Sequence, residues 1–323
     1  MRPLKLVPDN TNIPFLKYRN IAMTLSILLI LASIALCVVR GFNLGIDFVG
    51  GQTVRAHFTQ AVPIEELREK MSELGFTDVT IQEYGSANEI GIRTPVPGEG
   101  DTAAEEAATK MRAAIEGNFP GAKVTGVESV SSKVSGELFR TGAWALSIAM
   151  IAIALYIWLR FEWQFGVGAL FALFHDVALT LGFFALTQLE FDLNVVAAIL
   201  TIIGYSLNDT IVVYDRIREN MRKYRKMDMA GLLDLSINET LSRTVVTSLS
   251  IGIVLTVLLV LGPDVIFGFT ASMLLGIVIG TFSSVYVSAA ILLWLRLKPD
   301  SFVQKAVAAG GENAERVGPR DLP

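Results

Sequence analysis

One cysteine and two histidines among 323 residues leave little material for a thiol or zinc centre. Cys37 stands alone, so no intrachain disulfide can form. Structural zinc sites draw four ligands from Cys and His, more than this chain supplies. A Gly-rich phosphate loop and a nucleophile–base constellation are missing as well. The chain is therefore not expected to be an enzyme, to hold a cofactor or to bind nucleic acid. Charge is also scarce, at 18% of residues, where soluble globular chains carry about 25%. Basic residues are absent from two short connections, 188–192 and 262–267, which carry Glu190, Asp192 and Asp264 instead.

What the chain has is oil: 52% of residues are hydrophobic and the mean hydropathy is +0.51. A bilayer core of roughly 30 Å takes about 20 apolar residues as helix. Six runs qualify, at 20–39, 141–159, 165–187, 193–214, 244–262 and 268–295. The first lacks an A-x-A cleavage site and five more follow, so it reads as a span and not a signal peptide. Lys and Arg crowd into residues 1–19, the segment 215–243 and the tail 296–323. The positive-inside rule then puts both termini in the cytoplasm and residues 40–140 outside. Segment 215–243 has Met221, Leu232, Leu233 and Leu235 as apolar anchors. It reads as an amphipathic linker lying on the inner leaflet. The tail from Pro299 reads as disordered.

Residues 40–140 read as a compact α+β unit. QTVRAHFT (52–59), TDVTIQEYG (77–85), NEIGIRT (88–94) and AKVTGVESV (122–130) alternate as strands. Helices are expected at 63–75, from Pro63 to Gly75, and at 101–119, opened by Asp101. The order βαββαβ is that of a ferredoxin-like split βαβ fold. The fold class is thus a polytopic α-helical membrane protein, with six transmembrane helices and one ferredoxin-like domain. His57, mid-strand, reads as a surface residue.

Chemistry concentrates in carboxylates inside the spans. Asp209 lies in IIGYSLNDTIVVYDRIREN (202–220), six residues before Asp215. That places it roughly 9 Å within the span. A lone Asp costs about 2.5–3.5 kcal/mol on insertion scales, so such residues pair or serve an ion pathway. Arg243 opens the next span at the same face, and antiparallel neighbours would bring the two together. Thr247 and Ser250 extend the arginine's stripe, while Tyr205 and Asn208 flank Asp209, outlining a polar seam. His175 and Asp176 lie mid-span in GALFALFHDVALTLG. Adjacent residues face different sides of a helix, so no direct pair is expected. Either belongs to a proton relay or makes a structural hydrogen bond worth about 1 kcal/mol. Gly276 and Gly280 form GxxxG, which serves packing within the chain or a sliding contact with a partner bundle. Glycines at 41, 45, 50 and 51 would permit a sharp passage from span to domain.

Four stretches together resemble the SecF family: FNLGIDFVGG (42–51), FHDV (174–177), IGYSLNDTIVVYDRIREN (203–220) and ETLSRTVVTS (239–248). Its members join SecD in the bacterial SecDF preprotein-translocation complex, within the resistance–nodulation–division superfamily. The resemblance implies that Asp209 and Arg243 take part in proton conduction. It also implies that Gly45, Asp47, Gly50 and Gly51 form the signature after the first span. A SecD heterodimer in the bacterial inner membrane is implied, working with SecYEG, YajC and YidC. That complex would use the proton motive force to finish export of a translocating preprotein. The alternative is a proton-coupled half-transporter for a small molecule or lipid. Such transporters carry larger outer domains, and drug accumulation in a deletion strain separates the two.

Overall fold

The computed structural model describes residues 7–8, 11–60, 64–76, 79–84, 86–95 and 101–297. The tail expected to be disordered, Pro63 and Gly85 of the strand turn lie outside the described residues. A short 3₁₀ turn, Phe15–Tyr18, leads into α1 (Arg19–Arg40), and a single turn, α2 (Ile46–Val49), follows. The α+β unit comprises β1 (Gly51–His57), α3 (Ile64–Glu73), β2 (Thr80–Tyr84), β3 (Ser86–Thr94), α4 (Asp101–Asn118) and β4 (Lys123–Val130). The membrane helices continue with α5 (Ser132–Arg160), α6 (Trp163–Thr187), α7 (Leu193–Lys223) and α8 (Met229–Leu261). The last span is built from α9 (Phe267–Phe282), a π-turn (Ser283–Val287) and α10 (Ser288–Trp294). Among the described residues six helices are long and apolar enough to cross a membrane.

The sheet has the order β2-β3-β1-β4, and each neighbouring pair is antiparallel. That is the ferredoxin-like arrangement read from the sequence. Alternate residues Val54 and Ala56 on β1 and Ile90 and Ile92 on β3 are buried. They pack with Leu67 and Met71 of α3 and Met111 and Ile115 of α4. Each such side chain fully buried contributes about 1.5–3 kcal/mol. His57 stays on the surface, 3.6 Å from Glu89.

The spans divide into a centre and a periphery. In the most apolar window of α6, α7 and the last span, 50–61% of residues are buried by protein, against 6% for α5 and 11% for α8. The central helices meet through small residues. A Cβ on Gly276 would overlap Ile202, and one on Gly182 would overlap Ser33 of α1. A Cβ on Gly280 would fall 3.1 Å from that of Ser206. The GxxxG stripe is therefore used within the chain.

Segment 215–243 corrects the sequence reading. It forms no separate linker helix: α7 and α8 each continue without a break from span into segment, with residues 224–228 between them. Of its apolar anchors Met221, Leu232 and Leu233 face protein, while Leu235 is half-buried. Ile217, Met221, Leu232, Leu233 and Ile237 join the core that also holds Phe165 and Tyr214. A polar lock closes the hairpin, where Arg216 Nε and Asn220 Nδ2 donate to Glu239 Oε2 at 2.7 and 2.6 Å. The N-terminal segment clasps α8. The Ile13 N–H donates to Asn238 Oδ1 and the Leu16 N–H to Asp234 Oδ1, both at 2.9 Å.

Candidate functional site

The site grows from the buried stripe of α7, where Ile199, Ile202, Ser206, Asp209, Val213 and Ile217 recur at helical spacing. Most of that stripe is apolar, so Asp209 enters the protein interior and keeps only 8% of its surface. Two hydroxyls meet it there. Thr244 of α8 donates to Oδ1 at 2.6 Å, and Ser284 of the π-turn donates to Oδ2 at 2.5 Å. Among the described residues no ion pair joins Asp209 to Arg243. Arg243 is exposed, and the residue beside it on α8 supplies the contact instead. One position along a helix turns the side chain by about 100°, enough to exchange guanidinium for hydroxyl.

Asp176 lies fully buried on α6. Its Oδ2 accepts from Ser206 of α7 at 2.5 Å and from Ser283 of the π-turn at 2.8 Å. Its Oδ1 lies 2.8 Å from His175 Nδ1. The expectation that these neighbours do not meet is thus overturned: the imidazole folds back across the helix surface to reach the adjacent carboxylate. Phe282 stacks on the ring at a centroid distance of 6.3 Å. His175 Nε2 is buried and has no hydrogen-bond partner among the described residues. With the proton on Nδ1, that nitrogen presents an open lone pair.

A third strand of the seam runs alongside. Tyr205 Oη, Ser248 Oγ and Thr281 Oγ1 form a chain with 2.8 Å at each step. Asn208 is exposed on α7, as are Thr247 and Ser250 on α8. Thr247 turns its hydroxyl back to the Arg243 carbonyl at 2.9 Å. The sequence reading thus found the acids but missed Ser206, Thr244, Ser283 and Ser284. These hydroxyls looked like ordinary small residues for helix packing. Chemically, the centre holds two buried acids and one imidazole, and each acid is bonded to groups able to donate or accept a proton.

A second set of polar groups joins the bundle to the α+β domain. Residues 43–45 pair with the α6–α7 connection like a strand. The Phe191 N–H donates to Asn43 O at 2.8 Å and the Gly45 N–H to Phe191 O at 2.9 Å. Asp47 Oδ2 accepts from the Leu193 N–H at 3.0 Å, at the start of α7. Asp192 caps the same helix through the Val195 N–H at 2.9 Å. From the sheet, the Arg93 guanidinium donates to Leu44 O. A Cβ on Gly45 would stand 3.0 Å from Glu190 Oε1. Gly50 and Gly51 have φ of +74° and +122°, a region that favours glycine. Burial first, and then Asp192 and Asp47, push the Glu190 carboxyl up to about 7, against an opposing pull from Arg55. Burial raises Asp192 as well, opposed by its hydrogen bonds.

The family model of the protein export membrane protein SecD/SecF, C-terminal, matches residues 110–298, and that of the SecD/SecF GG motif matches 35–62. The protein translocase subunit SecF of Rhodobacter capsulatus is 44% identical over 306 residues, covering 91% of this chain and 92% of the relative. Its counterpart in Desulfurispirillum indicum is 43% identical over 288 residues, covering 88% and 92%. The crystal structure of SecDF, a translocon-associated membrane protein from Thermus thermophilus, superposes with a TM-score of 0.83 at 34% identity. The match covers 91% of this chain and 40% of that one, so this chain spans about two-fifths of the SecDF length. A super-membrane-facing form of SecDF gives a TM-score of 0.66 at 34% identity, covering 96% and 41%. The GG segment at the junction and the spans that build the seam fall within these matches, and the chain belongs to the SecF family of protein translocase subunits.

Proposed function

We propose that the chain serves as the SecF subunit of the Sec preprotein translocation machinery, joining a SecD partner and drawing on the proton motive force to complete polypeptide export. The observation that carries the proton part is Asp209, buried at the helix crossing and, among the described residues, bonded to hydroxyls of α8 and the π-turn. Such an acid changes charge without losing its hydrogen-bond partners, because a hydroxyl can donate or accept. Asp176 and His175 form a second proton-holding pair in the same seam. Tyr205 keeps the neighbouring hydroxyl chain in register.

Arg243, Asn208 and Thr247 belong to the partner side of this reading. They are exposed polar groups on spans that would otherwise face lipid. A polar group in hydrocarbon is costly and normally finds a helix partner. The SecD subunit supplies that partner, and with it a group that approaches Asp209 when the helices move. Gly45, Asp47, Gly50 and Gly51 transmit the motion to the α+β domain. By the charge bias of the loops both termini lie in the cytoplasm and the domain lies outside the inner membrane. SecYEG, YajC and YidC are the further partners.

The test is Asp209→Asn in the chain assembled with its SecD partner in vesicles. Potential-driven preprotein translocation is expected to fall at least tenfold, whereas assembly persists because the amide keeps the size and one oxygen acceptor. Translocation at the unmodified rate would show that Asp209 carries no proton.

A further inference from the structure

The last span is not one continuous α-helix. Between α9 and α10 the backbone opens into a π-turn, with the Ser288 N–H reaching Ser283 O instead of the carbonyl four residues back. Such i→i+5 turns are rare and concentrate at functional positions. Here the turn begins with two consecutive serines, and each serves a different acid. Ser283 donates to Asp176 at 2.8 Å and Ser284 to Asp209 at 2.5 Å. Adjacent residues in a regular helix diverge by about 100°, yet both side chains reach carboxylates on neighbouring helices. Each hydroxyl also has a second acceptor on its own helix: Gly280 O at 3.1 Å for Ser283 and Thr281 O at 3.0 Å for Ser284.

A hydroxyl has one proton to donate, so each serine chooses between its acid and its own helix. We propose that Ser283 and Ser284 are positioning residues of the π-turn that read the charge of Asp176 and Asp209, donating to each acid when ionised and turning to the helix carbonyl when it is protonated. The step balances. A proton arriving on Asp209 Oδ2 is donated to Ser284 Oγ, and the serine proton rotates to Thr281 O. No hydrogen-bonding group is left unpaired, but the bond across the helix interface changes from charge-assisted to neutral and loses roughly half its strength. Protonation of either acid therefore loosens the grip of the last span on α6 and α7. The other titratable groups at the crossing are His175 on α6, Tyr205 on α7 and Arg243 on α8. His175 is bonded to Asp176, Tyr205 to Ser248, and Arg243 is ion-paired to neither acid. From Gly280 to Ser284 the last span brings no titratable side chain.

This inference rests on the proton reading of Asp209, and infrared titration of the full chain with its partner subunit in nanodiscs separates the two. Carboxyl C=O bands are assigned by their loss in Asp209→Asn and Asp176→Asn. In Ser284→Ala the midpoint of the Asp209 band is expected to move upward by about one pH unit. Ser284→Cys, close in volume and a weak donor, is expected to move it less in the same direction. Ser284→Thr restores the original midpoint, and Ser283→Ala shifts the Asp176 band instead. An Asp209 band that titrates but stays put in both Ser284→Ala and Ser284→Cys overturns the serine role alone. A band that never titrates in the unmodified complex overturns the proton reading, and the serine role with it.

Discussion

Asp209 and Asp176 accept from hydroxyls, whereas Asp47 and Asp192 at the junction accept from backbone amides, with Glu190 beside them and Arg55 near Glu190. The two groups of carboxylates belong to one chain but suit opposite tasks. A backbone N–H only donates, and its direction is set by the helix or strand that owns it. It holds a charge in place and resists its neutralisation. A hydroxyl rotates and can return a proton to the acid it serves. The central acids are thus arranged to change state, and those at the junction to fix how the α+β domain sits on the bundle. Within the junction burial works against that hold, raising Asp192 and, further, Glu190. Burial, with the charges of Asp192 and Asp47 adding to it, carries Glu190 up to about 7.

The largest effect is expected at the helix crossing that assembles the seam. Gly276→Leu would force α9 away from Ile202 and carry Ser283 and Ser284 from both acids. Overpacking at such a contact is expected to cost about 3 kcal/mol or more. Thermal unfolding of the purified chain should show it, together with loss of translocation. Little change in unfolding would mean that α7 and α9 do not pack as closely as described.

A smaller effect sharpens the junction side. Native Glu190 holds its proton up to about pH 7, against an ordinary value of 4.5 when unfolded. Between those limits the native state binds more protons, so stability falls as pH rises through that window and levels off above it. Glu190→Gln removes the titration but also the attraction to Arg55. The variant is expected to be more stable than the original by about 1–2 kcal/mol at pH 8, with no advantage below about pH 4.5. Unfolding midpoints across pH 4–8 measure the difference. A pH-independent difference would remove Glu190 from the junction's proton balance.

The smallest effect concerns Arg243. Being exposed and unpaired with Asp209, Arg243→Gln should change the stability of the chain alone by less than about 0.5 kcal/mol. Translocation with SecD, in contrast, should drop. Marked unfolding of the lone chain would place Arg243 within the seam after all.

The architecture was largely legible in the sequence. Six apolar runs and a βαββαβ order carried the bundle and the ferredoxin-like domain, because hydropathy and strand alternation are local signals. Asp209 and Asp176 were also legible as acids in the wrong solvent. Their partners were not. Thr244 is 35 positions from Asp209 and Ser284 is 75 away, while Ser283 is 107 from Asp176. Contacts at that range follow from helix packing and leave no local pattern. The hairpin of α7 and α8 failed for a different reason. Its apolar stripe was visible, but a stripe says that a face is buried and not whether lipid or protein covers it. The π-turn had no signal at all, since Thr-Phe-Ser-Ser-Val fits an ordinary helix.

Two pieces of backbone carry the α+β domain, and they enter it side by side. One is the glycine pair at 50 and 51; the other is the start of α5, a single residue after β4. A Cβ on Gly50 would stand 3.2 Å from the Cα of Ser132. The two crossings of the backbone thus sit at one place, with the bond from Arg93 to Leu44 O beside them. A cleft of about 420 Å³ opens between Arg55 and Glu128 of the sheet and Pro263 and Val265. A swing of the domain about these crossings would change the width of that cleft most and move Gly50 least.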